Sequence, residues 1–151
     1  MFGFNNRRLL NNPIFGEMRY IEWWQAILET EVVLWGKRHR VEILVLADKP
    51  EDGVTKEQEN SYLEFKNTLD EKQKIIQDLL EQYHKTTTTN ELTERFFPTQ
   101  LIFSRNGDYG ICIDDAEDED CSIQPDTGLA ISFVPEIKLY QSQDEYIAFI
   151  F

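Results

Sequence analysis

Two cysteines, two histidines and two methionines are all that 151 residues contain of the softer metal ligands, and this scarcity narrows the chemistry first. Cys112 and Cys121 have no C-x-x-C spacing and no second ligand pair, which argues against a structural zinc site. In a reducing compartment both are expected to be free thiols rather than a Cys112–Cys121 bridge. His39 falls beside a turn and His84 at the end of a predicted helix, where a cation complements the helix dipole. Neither sits in a metal motif or beside a nucleophile signature. G-x-S-x-G, P-loop, G-x-G-x-x-G and H-E-x-x-H patterns are all missing. No catalytic residue, metal site or cofactor is therefore nominated, and a binding role is favoured over catalysis. Long apolar runs are absent too: "ILVLA" is far too short to cross a bilayer, and "MFGFNNRRLLNNP" has no signal-peptide core. The expected location is the cytoplasm.

Positive charge is scarce where it would matter for nucleic acid. The chain carries 15 Lys/Arg against 28 Asp/Glu, a net charge of −13. Residues 98–151 hold only two of the cations against eleven carboxylates. Such a field repels phosphate backbones and anionic lipid surfaces, whose binding needs Lys and Arg to displace counterions. A basic protein becomes the better-fitting macromolecular partner, beside the plainer reading that the net charge keeps the protein soluble. Aromatic residues are plentiful, Trp23, Trp24 and Trp35 among them, so a packed core is expected despite the charge.

A chain of this length suits one domain, expected over 14–151 behind a loosely packed, Asn-rich leader at 1–13. "IFGEMRY" and "WWQAILETEVVLW" have the aromatic and β-branched content of strands, and "GKR" at 36–38 offers a turn before "HRVEILVLAD". That last segment starts amphipathic and ends apolar on both faces, as a central strand under a helix does. Two adjacent indoles in "EWW" point to opposite faces of a strand, so only one can join the core. Thr55 and Gln58 form a T-x-x-Q capping box. From there Tyr62, Phe65, Leu69, Ile76, Leu79, Leu80 and Tyr83 recur at helical spacing, predicting one long helix over about 56–84. Asn90 is read as the N-cap of a short second helix, "ELTERFF", stopped by Pro98. "TQLIFS" and "YGICID" flank Asn106-Gly107, a strong hairpin signal. "TGLAISFV", "EIKLYQSQ" and "EYIAFIF" are read as further strands. The fold class that follows is α+β: an antiparallel β-sheet, made of an N-terminal meander plus C-terminal strands, packed on one long α-helix with a short second helix.

The stretch "DDAEDEDCS" supplies the candidate site: Asp114, Asp115, Glu117, Asp118, Glu119 and Asp120 place six carboxylates in nine positions. Calcium is one reading of such a loop, but the EF-hand pattern fails: counted from Asp114, its sixth position is Glu119 and its twelfth Pro125. Acid–base catalysis needs one carboxyl in a dry pocket, and a run this polar is expected to be wet. What remains is a choice between a solvated connector and an electrostatic docking loop for a basic partner. The alternative function is a small-ligand-binding protein or enzyme with a pocket between helix and sheet.

"IFGEM", "EWWQA", "LWGKRHRVEILV", "TKEQENSYLEFKN", "LLEQYHK", "YGICID", "GLAISFV" and "QSQDEY", in that order from about Ile14 to Tyr146, together resemble a family of small acidic bacterial proteins of unknown function. Some similar proteins are immunity proteins that neutralise toxins, and the resemblance implies that kind of role. The segment between "YG" and "GLA" is short in that family and contains Trp or His. Here it is longer and has neither, so the acidic run is a feature of this chain. No catalytic residue follows from the resemblance.

Overall fold

The computed structural model describes residues 8–84, 88–116 and 128–150. The strands are β1 (Leu9–Asn12), β2 (Gly16–Tyr20), β3 (Trp24–Ala26), β4 (Thr30–Leu34), β5 (Lys37–Val45), β6 (Phe96–Phe103), β7 (Tyr109–Asp115), β8 (Leu129–Val134) and β9 (Lys138–Tyr140). The helices are α1 (Lys56–Asn67), α2 (Leu69–Tyr83), α3 (Thr89–Arg95) and α4 (Gln143–Ile150). None of them is long and apolar enough to cross a membrane.

Among the described residues nine strands join one sheet in the order β1-β2-β3-β5-β6-β7-β8-β9, with β4 paired to the first half of β5. The class is α+β and the pairing mostly antiparallel, but three expectations need correction. The N-terminal strands are not a simple meander, because both β3 and β4 pair with β5. β5 and β6 run parallel, with Glu42 opposite Gln100 and Val45 opposite Phe103. A parallel neighbour requires a crossover, and α1, α2 and α3 provide it. Finally, Leu9–Asn12 of the stretch expected to be loose is a strand paired with β2; residues 1–7 lie outside the described residues.

The single long helix is two helices that meet at Thr68, whose backbone leaves helical geometry (φ −122°, ψ 32°). The Thr68 hydroxyl donates back to the Glu64 carbonyl at 2.7 Å, an i−4 bond that competes with regular helix geometry. The apolar stripe also fails here, since the position between Leu69 and Ile76 is Lys72. This lysine is buried, and its ammonium donates to Glu64 Oε2 at 2.6 Å and to Thr68 Oγ1 at 2.8 Å. Tyr109 of β7 donates to the other Glu64 oxygen. Burial pushes the Glu64 carboxyl up, but the bonds from Lys72, Tyr109 and Thr68 outweigh it and hold the group below its ordinary value of 4.5. A folded pKa lowered in this way adds stability above the unfolded value, and the gain is lost as pH falls through the folded value. Acid titration of thermal stability is therefore expected to show a steeper loss below pH 4.5 in the wild type than in Glu64→Gln.

Two apolar layers flank the sheet. The larger lies under α1 and α2, where Phe15, Tyr62, Phe65, Phe103, Tyr109 and Phe133 pack ring on ring. The Phe15–Tyr62 and Phe103–Tyr109 pairs are stacked, with centroids at 4.9 and 5.0 Å. Burying each such ring contributes about 2 kcal/mol. The smaller layer, on the opposite face, gathers Leu44, Leu46, Ile102, Cys112, Ala130 and Tyr140 under Tyr146 and Ile150 of α4. Trp24, the first residue of β3, joins the first layer, and Trp23, in the turn before it, rests half-buried against the second.

α2 also seals an edge. Gln73 and Gln77, one turn apart, accept the backbone N–H groups of Val33 (2.7 Å) and Trp35 (2.9 Å), and Glu81 accepts the Trp35 indole N–H at 3.0 Å. These contacts hold Trp35 at φ 49°, beside Gly36 at φ 81°, in the two-residue turn joining β4 to β5. Both central residues have the positive φ of a type I′ hairpin turn, one residue earlier than the expected turn at 36–38.

The remaining differences are at ends. Thr88, not Asn90, caps α3, its hydroxyl accepting from the Glu91 amide at 3.3 Å. The helix stops at Arg95; Phe96, Phe97 and Pro98 open β6, with a register shift between Pro98 and Gln100. "EYIAFIF", expected to be a strand, is helical through Ile150, and "EIKLYQSQ" is a strand only over Lys138–Tyr140.

Candidate functional site

Parallel strands end together, and crevices form beyond their carboxyl ends. β5 and β6 behave accordingly. Past Val45 and Phe103 the chain opens a cleft of about 480 Å³, lined by Glu22, Leu46, Ala47, Asp48, Ser104, Arg105, Asn106, Asp108 and Ile150. Glu22 comes from the β2–β3 turn, Asp48 from the segment after β5, Ser104 to Asp108 from the β6–β7 hairpin loop, and Ile150 from the end of α4. Among the described residues Glu22, Asp48 and Asp108 make no ion pair.

The wall of this cleft is braced from within. Gln58, wholly buried on α1, donates through Nε2 to the carbonyls of Leu46 (3.0 Å) and Phe103 (3.2 Å), tying the two parallel strand ends together. Its Oε1 accepts the Thr55 amide at 2.8 Å while Thr55 Oγ1 accepts the Gln58 amide at 3.1 Å. The capping box read from the sequence is thus also a clamp on the sheet. Thr55 in turn donates its hydroxyl to the Arg105 carbonyl at 2.8 Å, and Ser61 donates to the Gly107 carbonyl at 2.6 Å. Gly107 has φ +96°, and a Cβ there would press on Glu57 and Ser61 at 3.1–3.2 Å. The Arg105 guanidinium points at backbone: it donates to the carbonyls of Leu46 (3.2 Å), Gly53 and Asp52 (2.9 Å). A cation tied to carbonyls fixes the loop after β5, and its charge stays beside the cleft's carboxylates without a direct ion pair among the described residues. The cleft can receive a cationic or hydrogen-bonding group against a rigid rim. Among the described residues no group of three His, Cys, Asp or Glu is arranged to hold a metal ion.

The acidic stretch singled out in the sequence begins at the other end of β7. Of its residues, Asp114 and Asp115 are described, whereas Glu117, Asp118, Glu119 and Asp120 lie outside the described residues, as does Cys121. Asp115 receives Arg95 at both oxygens, Nε at 2.9 Å and Nη2 at 3.0 Å, the two-pronged geometry that makes arginine–carboxylate pairs strong. Arg95 also approaches His84 Nε2 at 2.9 Å and lies over the Phe96 ring at 5.0 Å. Asp114 accepts from Gln143 Nε2 at 2.9 Å, and the same nitrogen donates to the Ile113 carbonyl at 3.0 Å. The Ala116 amide donates to the Arg95 carbonyl at 2.7 Å. Asp114 and Asp115 therefore brace a clamped strand end.

His39, on β5, has an imidazole held below its ordinary value by burial and then by Lys37. Cys112 is free and buried, and burial followed by the charge of Asp114 pushes its thiol up to about 12, which keeps it protonated and inert at neutral pH. The cleft residues were beyond sequence reasoning, because four separated segments bring them together. The one local signal was Asn106-Gly107, which marked the hairpin that carries Ser104 to Asp108. No family model, no curated protein and no solved structure matches this chain.

Proposed function

We propose that the protein is a non-enzymatic cytoplasmic binding module that docks a basic protein partner through its acidic C-terminal third, as an immunity-type protein docks on a toxin. The observation that carries this reading is the shortage of internal counter-charge. Residues 98–151 have two cations for eleven carboxylates. Arg105 is committed to three backbone carbonyls, and Lys138 lies over the Tyr140 ring at 4.8 Å. An acidic field of this kind accelerates and selects a basic partner more than it adds affinity.

Asp114 and Asp115 are structural, so the test leaves them intact. A variant with Glu117→Gln, Asp118→Asn, Glu119→Gln and Asp120→Asn is compared with wild type for binding to a basic protein captured at low salt. Interferometry should give an on-rate about tenfold lower for the variant, with the off-rate nearly unchanged and the difference shrinking as salt is raised. An on-rate equal to wild type would falsify the docking role of this stretch.

A second reading, small-ligand binding, is favoured by the cleft beyond β5 and β6. The concave surface that supports this reading lies at the strand ends, away from the aromatic packing under α1 and α2. Glu22, Asp48 and Asp108 would select a cationic group there.

A further inference from the structure

The layer under α4 contains two hydrogen-bond donors with no acceptor among the described residues. Tyr146 is fully buried, its hydroxyl directly over Gly110, and that hydroxyl has no partner. The indole N–H of Trp23, packed against the same layer, has none either. Drying a polar group without pairing it shifts an equilibrium by roughly tenfold or more. Against that penalty the polar anchorage of α4 is slight: among the described residues Gln143 donates to the Ile113 carbonyl and to Asp114, while the Ser142 Oγ bond to the Glu145 amide only caps the helix itself. At eight residues α4 is too short to persist as a helix unless it is docked. The opposite layer also contains an unpartnered donor, the Trp24 indole N–H, but its helices are tied down by Gln58, Lys72, Gln73 and Gln77, which bond across to other elements or to each other.

We propose that α4 is a releasable strap, which lifts from β7, β8 and β9 as a unit ahead of global unfolding, wets Tyr146 and Trp23, and uncovers Cys112. The strap runs the length of β7. Gln143 grips Asp114 at the acidic end, and Ile150 lines the cleft at the other. Its opening therefore unmakes one wall of the cleft and frees one strut of the acidic stem in a single step. Partial openings of this kind are drawn from the least anchored elements of a fold.

Cys112 is the reporter, because it is 1% exposed with α4 closed. In a full-length chain with Cys121→Ser, its reaction with a chromogenic disulfide reagent is followed across a urea series below the unfolding transition. Release of the strap predicts labelling at zero urea at least tenfold faster than global unfolding allows, with a urea slope well below that of fluorescence-detected unfolding. Tyr146→Phe removes the dry hydroxyl and keeps the ring, so labelling should slow by about tenfold. Gln143→Ala removes the anchor and should speed it by a similar factor. Labelling with the full urea slope of global unfolding would overturn the proposal, as would a Tyr146→Phe rate equal to or above that of wild type.

Discussion

Adding one methyl group at Gly110 is expected to destabilise the protein by about 3 kcal/mol, at the upper end of what overpacking a core produces. A Cβ at this position would overlap the Tyr146 hydroxyl and lie 2.5 Å from the backbone carbonyl oxygen of Ile131. The first obstacle is a side chain and can move. The second belongs to β8, paired on both sides, and moving it disturbs the registers with β7 and β9 together. In a domain of this size the loss corresponds to a drop in melting temperature of about 10 °C. The double variant Gly110→Ala/Tyr146→Ala distinguishes the two obstacles. Truncating the ring removes its clash but leaves that of the strand carbonyl, so thermal denaturation should place the double variant below Tyr146→Ala alone. Equal stability of those two chains would show that β8 gives way freely.

The second large effect is expected from Gln58→Glu, a substitution that replaces one nitrogen by oxygen and changes shape little. The amide nitrogen now donates to two carbonyls, Leu46 and Phe103. A carboxylate oxygen in its place would confront those acceptors with a negative charge in a fully buried site. Leaving a buried charge without a partner in this way costs about 3–5 kcal/mol. The penalty should depend on pH. Burial and facing carbonyls both disfavour the ionised form, so the folded pKa of the introduced carboxyl is raised above its unfolded value. The destabilisation is then full at neutral pH and is relieved as pH falls through the raised value, because the protonated acid can again donate one hydrogen bond. Urea denaturation from pH 8 to pH 5 should bring the variant closer to wild type. A gap that stays constant over that range would refute the buried-charge account.

These positions show how far local sequence signals reach. The Thr55–Gln58 box was legible because cap and helix fall within four consecutive residues, and the hairpin at Asn106-Gly107 for the same reason. Trp23 and Trp24 do fall in opposite layers, although Trp23 sits in the turn before β3 and not on the strand expected of it. That Gln58 also clamps β5 to β6 was not legible, since it depends on a parallel pairing across about fifty residues of intervening chain. The break at Thr68 left a trace, the lysine at position 72 in an otherwise apolar stripe. α4 left a clearer one: Ser142 and Glu145 have capping-box spacing, and Tyr146 and Ile150 are one helical turn apart. The β-branched and aromatic content of "EYIAFIF" argued for a strand, and the ability to pack on Gly110 and Cys112 decided for a helix. The acidic stretch drew attention by composition, which cannot tell the struts Asp114 and Asp115 from the carboxylates that follow them.

The glutamine pair on α2 has a bearing on how the molecule meets its neighbours. A strand edge with open amides is a template for another strand, whether from a second molecule or from a misfolded one. At Val33 and Trp35 that template is occupied by Gln73 and Gln77, side chains that imitate the carbonyls of a missing strand. The helix thus acts as an insulator as well as a cover. Whatever loosens α2 from the sheet also exposes a sticky border, so at this edge resistance to aggregation and the docking of one helix are the same property.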